Sequence, residues 1–162
     1  VPKTVNGEPY SALKLDELCA TRTASGDSLI YGGEAEWKSF PWASAPQGAS
    51  EWVLLPKSDP DQSKVSKDRH FRWKRLAAQQ RVHDDHYPEY REVKARELLT
   101  AVLLYALTHD ERLPLDYLRC EEPSAHGGRV CVGNFIASGL RIFNGNGDFE
   151  NDVIGRALAR KL

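Results

Sequence analysis

The chain has 162 residues, of which 41% are apolar and 28% charged, and a formal net charge of -1. That length supports a buried core without disulfide or metal staples, and the composition excludes a chain disordered throughout. Near-neutrality excludes the globally basic class of nucleic-acid binder, so any contact with an anionic polymer must come from a local patch.

Cys19, Cys120 and Cys131 form no Cys-x-x-Cys pair. An odd and low cysteine count suits a reducing compartment, and a cytoplasmic location is the expectation. No charged segment followed by an apolar one opens the chain, and the run Ala101 to Leu107 is far short of the ~20 residues of a membrane span, so no membrane partner is expected.

Residues 1–10 carry two prolines and an Asn6-Gly7 turn and read as an extended arm. Ser11 then caps a short helix bearing Leu13, Leu15, Leu18 and Cys19 that stops near Thr21. Ser28 to Tyr31 is a short strand candidate. The stretch from Glu34 to Ser50 is broken by prolines and a glycine but holds Trp37, Phe40 and Trp42, which water solvates poorly, so it reads as an ordered loop folded onto the core. Glu51 to Leu55 reads as a strand ended by Pro56, and residues 57–64 as a flexible polar loop.

From about Ser66 to Val82 the spacing predicts a helix with Val65, Trp73, Leu76 and Ala77 on one face and lysines and arginines over the rest. After Pro88 comes the most apolar segment, Glu92 to Leu107. There Ala95, Leu98, Leu99, Val102, Leu103 and Ala106 recur at helical spacing, and Leu104, Tyr105 and Leu107 widen the face until the helix should be wrapped on most sides. Leu115 to Cys120 reads as a further helical turn. Apolar runs at Arg129–Val132, Asn134–Ala137 and Leu140–Phe143, separated by Gly133 and Ser138-Gly139, have the pattern of an antiparallel hairpin or meander. Asn151 or Asp152 is placed to cap a last helix through Val153, Ile154, Leu158 and Leu162. The expected fold is a single α+β domain over residues 1–162, with a central buried helix, a neighbouring basic amphipathic helix and a small antiparallel sheet.

The basic helix is the strongest functional signal. Lys67, Lys74, Arg75 and Arg81 offer cations to phosphates, and Phe71 stands among them as a surface on which an unpaired base can stack. Nucleic-acid binding is the function this favours. A second class is a protein-interaction module without catalysis, built on the aromatics from Trp37 to Trp52 and binding a protein partner. A third is a metal-dependent hydrolase. His83, Asp84 and His86 are the densest group of ligand types, and i, i+3 spacing on a helix brings the two imidazoles to one side, where a divalent metal would be held with a position open for water. No other cofactor is expected.

Weaker patterns fail on their own chemistry. Glu92-Val93-Lys94 matches a nuclease Glu-x-Lys but opens a helix rather than lying on a strand. Asn144, Asn146, Asp148, Glu150 and Asp152 alternate like a calcium loop, yet Phe149 stands where the turn needs glycine and Gly155 where a bidentate glutamate belongs. Cys120 beside Glu121 and Glu122, and Cys131 in an apolar run, lack a setting that stabilises a thiolate. His126 has no nucleophile or acid partner that spacing identifies.

Overall fold

Ser11 begins the first helix as expected. Its hydroxyl accepts the Lys14 N–H at 3.2 Å, and α1 runs Ala12–Ala20 with Ala12, Leu15 and Cys19 buried. The computed structural model describes residues 2–22, 28–31, 37–48, 76–113, 116–124, 127–148 and 154–160. Within the expected arm, β1 (Thr4–Val5) and β2 (Glu8–Pro9) pair in a hairpin, and Asn6 and Gly7 turn it at φ 52 and 82. The expected strand Glu51 to Leu55 and the loop 57–64 lie outside the described residues.

Trp37 is buried, and α2 (Pro41–Ser44) places Trp42 and Phe40 against the same core. The Trp37 and Trp42 rings stack at 6.2 Å. In this part of the aromatic stretch the large rings serve as packing.

The apolar segment forms α4 (Ala95–His109), after α3 (Leu76–His86) and the strand β4 (Tyr90–Glu92). Glu92 therefore belongs to a strand rather than to the helix, and the helix opens with the Glu97 carboxylate accepting the Lys94 N–H. Ala95, Leu98, Leu99, Val102 and Leu103 are buried, but Leu104 and Leu107 are 44% and 37% exposed. The helix is thus enclosed on most sides over its first turns, where Glu97, Leu98, Leu99 and Thr100 are buried in succession, and open from Leu104 onward. Its extra leucines widen the apolar surface beyond what its neighbours cover.

The sheet is larger than expected and mixed. Five strands lie in the order β3 (Ile30–Tyr31), β7 (Gly139–Asn144), β6 (Arg129–Ile136), β5 (Tyr117–Pro123), β8 (Ile154–Arg156). The inner three are antiparallel; β6 and β7 are the expected hairpin, with the runs on either side of Gly133 joined in one strand, while β3 and β8 add parallel edges. Gly139 takes φ 118, and a side chain there would stand 2.7 Å from the Leu29 carbonyl. Glycine at this point lets the edge strand approach, and the Leu140 N–H bonds Leu29 O at 2.8 Å.

Two expected helical pieces are strands. Leu115 to Cys120 falls largely in β5, and the last expected helix is β8 and β9 (Leu158–Arg160). Ile154 and Leu158 stand four apart and fit helical spacing, but they occupy one extended segment that changes sheet at Ala157. There the Ala157 N–H bonds Arg119 O at 2.8 Å while its carbonyl accepts from Val93 N at 3.0 Å. Beyond that point β9 pairs antiparallel with β4.

Side-chain alternation gives the sheet two unlike faces. Leu118, Cys120, Val130 and Val132 belong to the same apolar cluster as the buried face of α4. Arg119, Cys131 and Arg156 occupy adjacent register positions on the other face, over which α3 lies.

Candidate nucleic-acid interface

The described part of α3 is fastened along its inward side. The Leu76 N–H bonds Gly147 O at 2.9 Å, and the buried Gln79 donates Nε2 to Ile154 O at 3.3 Å. Gln80 accepts from Arg156 Nη2 and donates to Asp84 Oδ1 at 2.8 Å. His83 turns inward and holds the Tyr90 carbonyl with Nε2 at 3.0 Å, so Nε2 carries the hydrogen. Four consecutive inward positions thus meet the turn after β7, the strand β8 and the start of β4.

Beneath the helix are two buried cations, Arg119 and Arg156, with the half-buried Arg129 beside them in the ion-pair network. Arg156 pairs with Glu92, and Arg129 Nη2 lies 3.6 Å from the other oxygen of the same carboxylate. Arg119 reaches the Asn146 carbonyl at 3.4 Å, and Arg129 reaches Glu121 O at 2.6 Å. Burial lowers the pKa of Arg156 to about 10, against the pull of Asp84, and lowers that of Arg119. Even so, the Arg156 guanidinium is charged at neutral pH. The turn itself is pressed close, since a Cβ on Gly128 would collide with the Gly145 carbonyl and with Gly147. Arg156, bonded at once to Gln80 and Glu92, ties α3 to the strands beneath it with charge-assisted bonds.

Outward, the helix shows Ala77, Arg81, Asp84, Asp85 and His86 to solvent. Of the expected nucleic-acid contacts, Arg81 is therefore exposed, while Lys67, Phe71, Lys74 and Arg75 lie outside the described residues. The helix continues to His86, one turn past the expected stop at Val82.

His83, Asp84 and His86 do share the end of this helix, but not one environment. His83 is buried while Asp84 and His86 are exposed. The His83 Nδ1 lies 3.5 Å from Gln80 Nε2 and 3.6 Å from Asp84 Oδ1. For Nε2 to ligate a metal, His83 would have to release the Tyr90 carbonyl. Among the described residues no three His, Cys, Asp or Glu side chains are grouped to hold a metal ion. In the Asn144–Asp148 turn, the Asp148 N–H bonds Asn146 Oδ1 at 2.9 Å, the local turn chemistry that such residues favour.

The three thiols are all buried. Burial pushes Cys19 up to about 11 and Cys131 up to about 12, and it raises Cys120 as well, so none is poised as a nucleophile.

Sequence reasoning missed Arg119 and Arg156 because a charged residue is ordinarily assigned to the surface. The signal was the flanking of Arg119 by Leu118 and Cys120, which a strand buried on both faces would produce. The chain matches no protein-family model, and no curated protein and no solved structure matches it.

Proposed function

We propose that the protein binds nucleic acid through the outward face of α3 and the basic stretch that leads into it. The observation that supports this is the polarity of α3 in place, with Gln79 and His83 buried against the sheet and Arg81 exposed on the other side. Lys67, Lys74 and Arg81 recur every seven residues, so a helical period aligns them with that exposed position. Arg75 flanks this stripe, and Phe71 supplies an aromatic surface for an unpaired base.

Each cation that meets a phosphate releases condensed counterions, which makes the interaction strong at low salt and weak at high salt. Asp84 and Asp85 are exposed at the far end of α3 and repel phosphate, so the contact surface extends from Arg81 toward Lys67. Phosphate contacts carry no base identity, and the reading implies binding with little sequence preference. We place this surface on a single domain over residues 1–162 with α4 at its centre. Three buried free thiols accord with a cytoplasmic, reducing setting.

The direct test is Arg81→Glu, which reverses one exposed charge without touching the buried side of the helix. Fluorescence anisotropy with a labelled single-stranded oligonucleotide at low salt should show affinity reduced by about tenfold. Unchanged affinity would remove Arg81 from the interface.

A further inference from the structure

Where α4 ends, a cleft of about 660 Å³ lies within the roughly 300–1,000 Å³ range of small-molecule sites. Leu29, Ala106, Leu107 and Phe135 supply its apolar lining. Arg22 and Arg112 bring cations to it, and Asp110 and Glu111 bring carboxylates. These charges do not neutralise one another. Among the described residues neither arginine is in a salt bridge, the Arg112 guanidinium rests over the Phe135 ring at 5.5 Å, and Glu111 accepts the Tyr105 hydroxyl at 3.1 Å.

We infer that this cleft binds a small zwitterion with an apolar side chain, the chemistry shared by a free hydrophobic amino acid and a short peptide with both ends uncapped. The two signs of charge around one apolar lining carry the assignment. Arg112 is steadied by the Phe135 ring, and its N–H donors stay available for a carboxylate, which a guanidinium receives in a bidentate way. For the ligand's ammonium, Asp110, two residues before Arg112 on the same lining, closes α4 in the left-handed conformation at φ 52, where the helix directs its last carbonyls and its negative end. An ammonium group is favoured there twice, by the dipole and by the Asp110 carboxylate. Leu107, left 37% exposed, gains a hydrophobic cover when the ligand's side chain lies on the apolar lining. Both charged groups are open to water, so each contributes modestly and the complex belongs in the range of about 0.1 to 1 mM.

The experiment is a titration of the uniformly 15N-labelled full chain, followed by amide chemical shifts, with four probes: leucine, the dipeptide Leu-Phe, N-acetyl-Leu-Phe and Leu-Phe amide. Saturable shifts are expected around Leu107, Asp110, Arg112 and Phe135. Leucine or Leu-Phe should bind at least about fivefold more tightly than either capped dipeptide. Leucine binding more tightly than the dipeptide would identify an amino-acid site, and the reverse a peptide site. Arg112→Gln should weaken binding by about tenfold, and Leu107→Gln, at an exposed position, should weaken it without unfolding the chain. Arg81→Glu, on the helix assigned to nucleic acid, should leave it unchanged, which separates this site from that one. No saturable shift below about 10 mM, or equal binding of capped and free dipeptides, would overturn the inference.

Discussion

Glu97 and Arg91 form a two-pronged ion pair, Nη1 to Oε2 and Nη2 to Oε1 both at 2.8 Å, with the carboxylate almost fully buried. The same Oε2 accepts the Lys94 N–H at 2.9 Å, so one side chain caps α4 and ties it to β4. A second carboxylate, Glu122, accepts the Ala95 N–H at 2.7 Å and adds β5 to the same helix end. Two acids at a helix N-terminus meet the free amides and the positive end of the dipole.

Removing the buried acid leaves a guanidinium and a backbone donor without their acceptor. Glu97→Ala should therefore cost about 3 kcal/mol in urea unfolding, and Glu97→Gln, which keeps a cap acceptor, clearly less. Equal losses for the two variants would show that the carboxylate charge and cap contribute nothing separate from side-chain volume.

Adjacent leucines of α4 give a second prediction. Leu103 is fully buried and Leu104 is 44% exposed. Leu103→Ala should cost roughly 2–5 kcal/mol through the lost burial and the cavity, whereas Leu104→Ala should stay within about 0.5 kcal/mol. A urea midpoint unaffected by Leu103→Ala would mean that this face of the helix is not enclosed.

The same burial sets a pH dependence through the thiols. An unfolded cysteine ionises near pH 8.5, whereas native Cys131 is raised to about 12 and Cys19 to about 11. Between these values the native state keeps protons that the unfolded state has released. Stability should therefore be unaffected by these groups below about pH 8 and fall as pH rises above it. An aromatic disulfide reagent at pH 8 should label no cysteine in the native chain and all three in denaturant. Fast native labelling would contradict the buried placement.

Local signals in the sequence were enough for several elements. Ser11 capped α1 where its hydroxyl suggested, and the runs on either side of Ser138-Gly139 did become β6 and β7, because caps and tight hairpins depend on neighbouring residues. Leu98, Leu99, Val102 and Leu103 were legible as a buried face for the same reason. The errors came where distant pairing decides. Arg119, Glu121 and Glu122 make β5 look like a polar helix end, yet Arg119 pairs in register with Arg156 on a parallel strand more than thirty residues away in the chain. Arg119 carries only the faint signal of its flanking Leu118 and Cys120, and Arg156 announces nothing, because what allows its burial is the helix α3 above and Glu92 beside it. Of the candidate interface, the outward position of Arg81 was legible from period alone. The inward turn of His83 toward Tyr90 O was not, since it depends on where β4 lies.

The central claim, that the Lys67 to Arg81 stripe meets phosphates, is tested most directly by the salt dependence of binding. Anisotropy titrations with labelled single-stranded and duplex oligonucleotides across a range of salt should give affinity that falls steeply with ionic strength. Lys74→Gln with Arg75→Gln should reduce the slope of log affinity against log salt by roughly 1.5 to 2. Phe71→Ala should weaken single-strand binding more than duplex binding, since only an unpaired base offers its face. Micromolar binding at low salt with that reduced slope is the predicted result; no binding in that range, or a slope indifferent to the double substitution, would contradict it.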